Sequence, residues 1–322
     1  MRETYLITGG AGNLTCQLTS YLAAPERRLV LFDIAPCPTG MTSSGCEYVR
    51  GDISSASDIQ AIVKDCRPSV ILHFASLLSG SSELDRTLAW RVNMDGTFHL
   101  LEEALRHKVR TFFFPSSLAA YGAPLLQSVA EDFPQWPVGL YGVTKLAVER
   151  LGHYYHVKHG LDFRSLRLPV VVSPHAPAGA ASAYASRAFV ETAQFGHFTF
   201  RVKPEVCPSL IYVQDVLRAV VLLLSAPAER LSRRVYNVQA MAPSALDIAS
   251  AIGARWKSAT VDFDVDPALS ELIASWPSQL EDSSSRRDWG WSAKYDLDAM
   301  ADHLWHELEH TSQDDSGSHS DR

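Results

Sequence analysis

The chain has 322 residues, 46% hydrophobic and 20% charged, with 18 Gly, 17 Pro and a net charge of −7. This composition excludes disorder, a collagen repeat and a coiled coil as the main architecture, and the length suits one large α/β domain or two lobes. An acidic chain without a long Lys/Arg run offers nucleic acid nothing to hold, and no stretch approaches the roughly 18 apolar residues of a membrane span, so neither partner is expected.

Tyr5–Thr8 is an apolar run closed at once by Gly9-Gly10-Ala11-Gly12. It reads as a strand and is too short for a signal-peptide core. A helix follows, with Leu14, Leu18, Tyr21 and Leu22 on one face. Leu29–Phe32 is a second strand ending at Asp33, and a third ends near Val49. Asp58–Lys64 reads as a helix and Val70–Phe74 as a buried strand. A long helix is expected over Leu84–His107, a strand over Thr111–Phe114, a helix over Tyr141–His159 and a strand over Phe163–Val172. Continuous apolar strands alternating with helices predict an α/β, Rossmann-type, doubly wound parallel sheet. After residue 174 the pattern loosens. His175–Ala183 is a Pro/Gly/Ala/Ser-rich loop, followed by short helices (Tyr184–Ala193, Val213–Leu224, Ala245–Ile252) and short strands (Arg234–Val238, Thr260–Val265). The expected division is a dinucleotide-binding domain over 1–174 with later returns, a smaller substrate lobe over 175–310, and a disordered polar tail over 311–322. The five cysteines (Cys16, Cys37, Cys46, Cys66, Cys207) are odd in number and form no Cys-x-x-Cys pair. That argues against disulfides and a cysteine zinc site, and fits a reducing cytoplasm.

Between strand and helix, Gly9, Gly10 and Gly12 allow a sharp turn and a close approach to a pyrophosphate resting on the helix N-terminus. Asp33, 21 residues after Gly12, stands where a carboxylate accepts from ribose hydroxyls and repels a 2′-phosphate; with no Arg directly after it, NAD is favoured over NADP. Asp52, after the third strand, is placed to meet the adenine. The expected last glycine of the fingerprint is Thr15, which implies a slightly displaced helix.

Tyr141 and Lys145 lie one helical turn apart on one face. A lysine there lowers the phenol's pKa and makes it a usable acid or base. Ser116-Ser117 follows the Thr111–Phe114 strand, where a hydroxyl would face the same cleft. Thr8–Gly12, Asn93 within Val92–Thr97, Ser116–Gly122 and Tyr141–Lys145 together resemble the extended short-chain dehydrogenase/reductase family over residues 4–309. The resemblance implies that Ser117 hydrogen-bonds the reacting oxygen, Tyr141 transfers its proton, Lys145 binds the nicotinamide ribose and Asn93 supports a proton relay. It extends the expected cofactor cleft to Asn13, Leu14, Ile53, Phe74, Ala75, Ser76 and Leu168, and implies a homodimer.

Within the family, the stretches at His73–Gly80, Tyr154–Arg167, Tyr212–Ala219, Ser275–Pro277 and Asp288–Trp291 resemble the short-chain L-threonine 3-dehydrogenases. Ser79 matches a substrate-contacting serine of that group. Trp276, flanked by Ser and Pro, reads as a wall of the substrate cleft, whereas Trp291 is as readily a core aromatic. The group's paired substrate threonines stand here as Ala181 and Ser182, and an arginine expected before Tyr212 is absent, with Cys207 nearby. The resemblance implies an NAD-dependent oxidation of the β-hydroxyl of L-threonine or a related amino acid, a small-molecule substrate. The alternative is an NAD-dependent sugar-nucleotide 4-epimerase or dehydratase, and a non-catalytic NAD sensor ranks below that because the Tyr–Lys pair is intact. His306-Glu307-Leu308-Glu309-His310 spells a zinc-protease motif, but it sits on the last helix beside the polar tail, and no metal is expected.

Overall fold

The computed structural model describes residues 2–41, 45–122, 127–175 and 181–317, with side chains to residue 309. The first half alternates as expected: β1 (Glu3–Thr8), α1 (Asn13–Leu22), β2 (Arg27–Asp33), β3 (Glu47–Arg50), α2 (Ala56–Cys66) and β4 (Val70–His73). The expected long helix after β4 is broken into α3 (Ser79–Leu84), α4 (Arg86–Trp90), a π turn (Arg91–Gly96) and α5 (Thr97–Arg106). Asp85 causes the first break, because its side chain accepts from Leu88 N at 2.9 Å and caps α4, the position aspartate favours over a helix interior. β5 (Thr111–Ser117), β6 (Ser128–Val129) and the 20-residue α6 (Leu140–His159) follow.

The expected strand over Phe163–Val172 is two strands, β7 (Asp162–Leu168) and β8 (Val170–Val172). Pro169 between them has no N–H to continue the ladder, and β8 leaves the main sheet to pair with β10 (Leu210–Tyr212). Beyond it lie α7 (Tyr184–Phe195), β9 (His197–Phe200), α8 (Val213–Ser225), β11 (Val235–Asn237), α9 (Ala245–Arg255), β12 (Thr260–Phe263), α10 (Pro267–Ala274), β13 (Gln279–Leu280), α11 (Ser283–Trp289) and α12 (Leu297–Gly317). α12 continues past Thr311, where the polar composition predicts unstructured chain; residues 318–322 lie outside the described ones.

Seven parallel strands form the main sheet in the order β11-β7-β5-β4-β1-β2-β3. One face packs Ile7, Leu31 and Leu72 against α1 and α8. The other packs Leu6, Phe32, Ile71 and Phe112 against α2, α5 and α6. Burial on both faces explains the unbroken apolar runs. A third cluster joins α7, α9, β9 and α12 through Phe189, Ile252, Phe200 and Leu304, and includes Leu118 and Tyr121 from the turn that follows β5. Strand order reverses between β1 and β4, so the crevice at their carboxyl ends is where an open α/β sheet receives a ligand.

Candidate active site

The glycine turn leaves β1 at this crevice. Gly9 has φ +72°, and a β-carbon there would stand 2.7 Å from Ala75 N in the segment leaving β4. At Gly10 it would stand 2.8 Å from the Leu31 β-carbon. Only glycine lets the turn settle this deep between β4 and β2. α1 starts from Gly12, which has no side chain to accept from the first-turn N–H groups at Asn13 and Leu14; those donors and the positive helix end suit a pyrophosphate. Asp33 braces the turn, with one carboxylate oxygen accepting from Ala11 N at 3.0 Å and the other from Ala35 N at 2.9 Å. Asp52 accepts from Ser54 N at 2.8 Å, and Ile53 beside it is buried. The cradle a β-carbon would fill and the open helix end together fit a dinucleotide. Thr15 is buried in α1.

Phe74, Ala75 and Ser76 leave β4 on the other side of the crevice. They are tied to the glycine turn through His73. His73 Nδ1 lies 2.7 Å from Thr8 Oγ1, and Nε2 lies 2.8 Å from Thr97 Oγ1. Thr97 donates its hydroxyl to the Asn93 carbonyl at 2.6 Å, so it accepts from His73 Nε2–H. Nδ1 then accepts from Thr8, whose oxygen accepts from Ala75 N at 3.3 Å. Burial pushes the imidazole down to about 3, with the Lys145 ammonium adding to the effect, so the ring is neutral. Asn93 sits in the π turn, a helix irregularity often found at functional sites. A β-carbon at Gly96, which ends that turn, would stand 2.5 Å from the Ile53 carbonyl.

The catalytic candidates converge at the end of β5. Ser117 closes that strand, and α6 crosses it so that Ser117 lies beside the Tyr141 hydroxyl. Lys145 donates to the Pro115 carbonyl at 2.8 Å, with Nζ 4.4 Å from the Phe114 ring centroid and 5.3 Å from that of Tyr141. Burial pushes the Tyr141 phenol up to about 12, and the Ser117 hydroxyl pulls it back. The expected lowering by Lys145 is not among the causes of the shift; removal from water penalises both charged forms. Lys145 itself is pushed down to about 7 by burial, opposed by Glu149 one turn further along α6. Glu149 is fully buried in a 2.6 Å ion pair with Arg167 and accepts from Ser116 at 2.5 Å. The Asn93 amide exchanges hydrogen bonds with both backbone groups of Leu77 (2.8 and 3.1 Å) and donates to Thr144 at 3.3 Å, which engages the side chain in holding this loop to α6.

The substrate candidates fall in two groups. Ser79 is exposed at the start of α3, a helix joined to the first turn of α6 where Glu83 accepts from Leu140 N at 2.8 Å. Ala181 and Trp276 pack against the third core cluster, which also holds Leu118, the neighbour of Ser117. Ser182 lies in the same short turn, half-buried. Leu168 is buried at the end of β7. Trp291 is a core residue whose indole donates to Asp282 at 3.0 Å. Cys207 is exposed. Among the described residues no group of three or more His, Cys, Asp or Glu side chains could hold a metal, and the His310 side chain lies outside them.

Sequence reasoning missed the roles of Thr8, His73 and Thr97, and of Glu149 and Arg167. The signals were there: a histidine closing an apolar strand needs partners once buried, and Glu149 continues the one-turn spacing of Tyr141 and Lys145.

The model of the NAD dependent epimerase/dehydratase family matches residues 5–238. The mitochondrial L-threonine 3-dehydrogenase of Bos taurus is 34% identical over 300 residues, 92% of this chain and 80% of that protein. An uncharacterized epimerase/dehydratase of Staphylococcus haemolyticus is 32% identical over 265 residues, covering 81% of this chain and 83% of that one. The L-threonine dehydrogenase structure from Clostridium difficile matches with a TM-score of 0.89 at 30% identity, over 96% of this chain and 98% of that chain. The crevice, the glycine turn and these matches agree, and the chain is an NAD-dependent oxidoreductase that belongs to the NAD dependent epimerase/dehydratase family.

Proposed function

We propose that the protein oxidises the β-hydroxyl of L-threonine, or of a related β-hydroxy-α-amino acid, to the 2-amino-3-oxo acid with NAD. The observation that carries this reading is Ser117, Tyr141 and Lys145 gathered at the end of β5. Gly9, Gly10, Gly12, Asn13 and Leu14 would hold the pyrophosphate, Asp33 the adenosine ribose, Asp52 and Ile53 the adenine, and Phe74–Ser76, Lys145 and Leu168 the nicotinamide half. Bound NAD supplies a hydride acceptor. Ser117 orients the substrate hydroxyl; Tyr141 as phenolate takes its proton; Lys145 stabilises that phenolate from one turn away. Ser79, Ala181, Ser182 and Trp276 are the substrate-holding candidates, and the relatives named as threonine dehydrogenases support the substrate class.

The decisive experiment presents hydroxy-amino acids and nucleoside-diphosphate sugars with NAD and follows NADH. Net NADH from L-threonine is expected. An epimerase, the reading favoured by the family's name and the S. haemolyticus relative, regenerates its cofactor and gives none. Ala181→Thr refines the substrate. If residue 181 lines the pocket, a restored hydroxyl adds about 0.5–1.5 kcal/mol of binding and lowers the threonine KM several-fold with kcat little changed. If Ala181 instead makes room for a bulkier amino acid, the same change raises the KM of that substrate. Unchanged KM values for both would place residue 181 outside the pocket.

The homodimer reading is supported by exposed apolar side chains on neighbouring helices: Trp90 on α4, Phe98 on α5, and Val143, Tyr154 and Val157 on α6. Cys16, Cys37, Cys66 and Cys207 are free thiols, which supports a reducing compartment such as the cytoplasm. Among the described residues no helix is long and apolar enough to cross a membrane.

A further inference from the structure

β3 is the edge strand of the main sheet, and its last residue, Arg50, is paired in parallel register with Asp33, the last residue of β2. Residues paired in this way project from the same face. Two rungs back, Leu31 and its partner Tyr48 both pack on the α1 side, so Asp33 and Arg50 share that side at the carboxyl edge. The Tyr48 hydroxyl, which donates to the Ala35 carbonyl at 2.9 Å, is raised in pKa chiefly by burial and feels both groups, Asp33 adding to the rise and Arg50 opposing it. Arg50 is exposed and donates from Nε to the Ile34 carbonyl at 3.0 Å. Among the described residues it forms no salt bridge, which leaves its terminal guanidinium nitrogens without an anionic partner.

We propose that Arg50 is a ligand for a 2′-phosphate on the adenosine ribose, whose attraction the Asp33 carboxylate beside it outweighs. This rests on the reading of the glycine turn as a dinucleotide site. An arginine immediately after Asp33 is absent from the sequence; the sheet register supplies one from the neighbouring strand. Asp33 excludes the phosphate by charge repulsion, so preference for NAD resides in one carboxylate and not in the lack of a cation. Neutralising Asp33 leaves a planar donor, already anchored through Nε, to meet a dianion by a charge-assisted hydrogen bond. Asp52, two residues beyond Arg50, is occupied by Ser54 N and would remain.

The test is equilibrium binding of NADH and NADPH to the full chain by fluorescence titration, which needs no substrate. Wild type is expected to bind NADH at least about tenfold more tightly than NADPH. Asp33→Asn keeps a side-chain acceptor for the glycine turn and removes the charge; it should tighten NADPH at least about tenfold, with an affinity that falls steeply as salt rises. Adding Arg50→Gln should abolish that gain. In the wild-type background, Arg50→Gln should lower the ratio of NADPH to NADH affinity, a readout that does not depend on the Asp33 variant folding. If Arg50 is only a brace for Ile34, Arg50→Gln weakens both dinucleotides in parallel and the proposal fails. It also fails if NADPH binds Asp33→Asn equally well with and without Arg50, an outcome that leaves the dinucleotide site standing. Absence of NADH binding to wild type overturns both readings together.

Discussion

Tyr141 and Lys145 share a helix face and are pushed in opposite directions by the same burial, the phenol up to about 12 and the ammonium down to about 7. Alcohol oxidation needs the phenolate, so kcat/KM in that direction is expected to rise with pH above neutrality. Tyr141→Phe removes the proposed proton acceptor and should cut kcat by about 10²–10⁴-fold while NADH binding, measured by titration, stays nearly intact. Retention of half the wild-type kcat would mean that the proton leaves by another group. His73 carries a different liability. Its folded pKa, about 3, lies below the ordinary 6.5. Between those values the unfolded chain binds a proton that the folded chain refuses, so its stabilising effect is complete above about pH 6.5 and is lost as pH falls toward 3. From pH 6.5 to 4.5 this costs about 2–3 kcal/mol. His73→Gln should be less stable at pH 7, through lost hydrogen bonds to Thr8 and Thr97, yet show a shallower acid decline in urea unfolding. Parallel declines in the two proteins would remove His73 as the cause.

α6 can bring Tyr141 to Ser117 only because residue 142 is glycine: a β-carbon there would overlap the Ala119 carbonyl in the turn that follows β5. Gly142→Ala therefore displaces the helix at its catalytic end. Helix propensity offsets part of the overlap, since Ala exceeds Gly by about 1 kcal/mol, so Tm should move little while kcat falls on the order of 10²-fold from misplacement. Gly253 in α9 has open space around its β-carbon position; Gly253→Ala is the control, expected to stabilise by about 0.5–1 kcal/mol with kcat unchanged. Equal kcat losses in the two variants would disprove the packing argument. The same scale shows what the sequence could carry. Strands buried on both faces announce themselves as apolar runs, and the glycine turn, Ser116-Ser117 and Tyr141–Lys145 were legible because spacing along one strand or helix places them. The breaks at Asp85 and Pro169 were written in single residues that an apolar period masks. The π turn was hidden because the close approach of Gly96 to the Ile53 carbonyl joins segments distant in the chain. β9 and β12 pair with each other outside the main sheet, so only one of them stood out by pattern.

In the proposed function α6 carries the proton-accepting phenol at one end, and its outer side exposes apolar residues, so assembly and catalysis would be linked through this helix. Val143, Tyr154 and Val157 are exposed at spacings that share one helix face, and the helices packed beside α6 expose Trp90 and Phe98. Scattered apolar residues are normal on a surface, but a cluster of large ones on adjoining helices marks an interface. The proposed homodimer would use it, because isologous pairing sets one apolar stripe against itself without needing a complementary charge; a stable pairing buries about 800 Å² per partner. Light scattering should therefore give wild type twice the 35.5 kDa chain mass. Phe98→Glu combined with Val157→Glu puts like charges into that stripe and should yield a folded monomer, seen by an unchanged circular-dichroism spectrum. Its kcat should drop severalfold, because α6 loses the partner that holds it straight from Val157 back to Tyr141. A wild type that stays monomeric at micromolar concentration would show that this surface has another use.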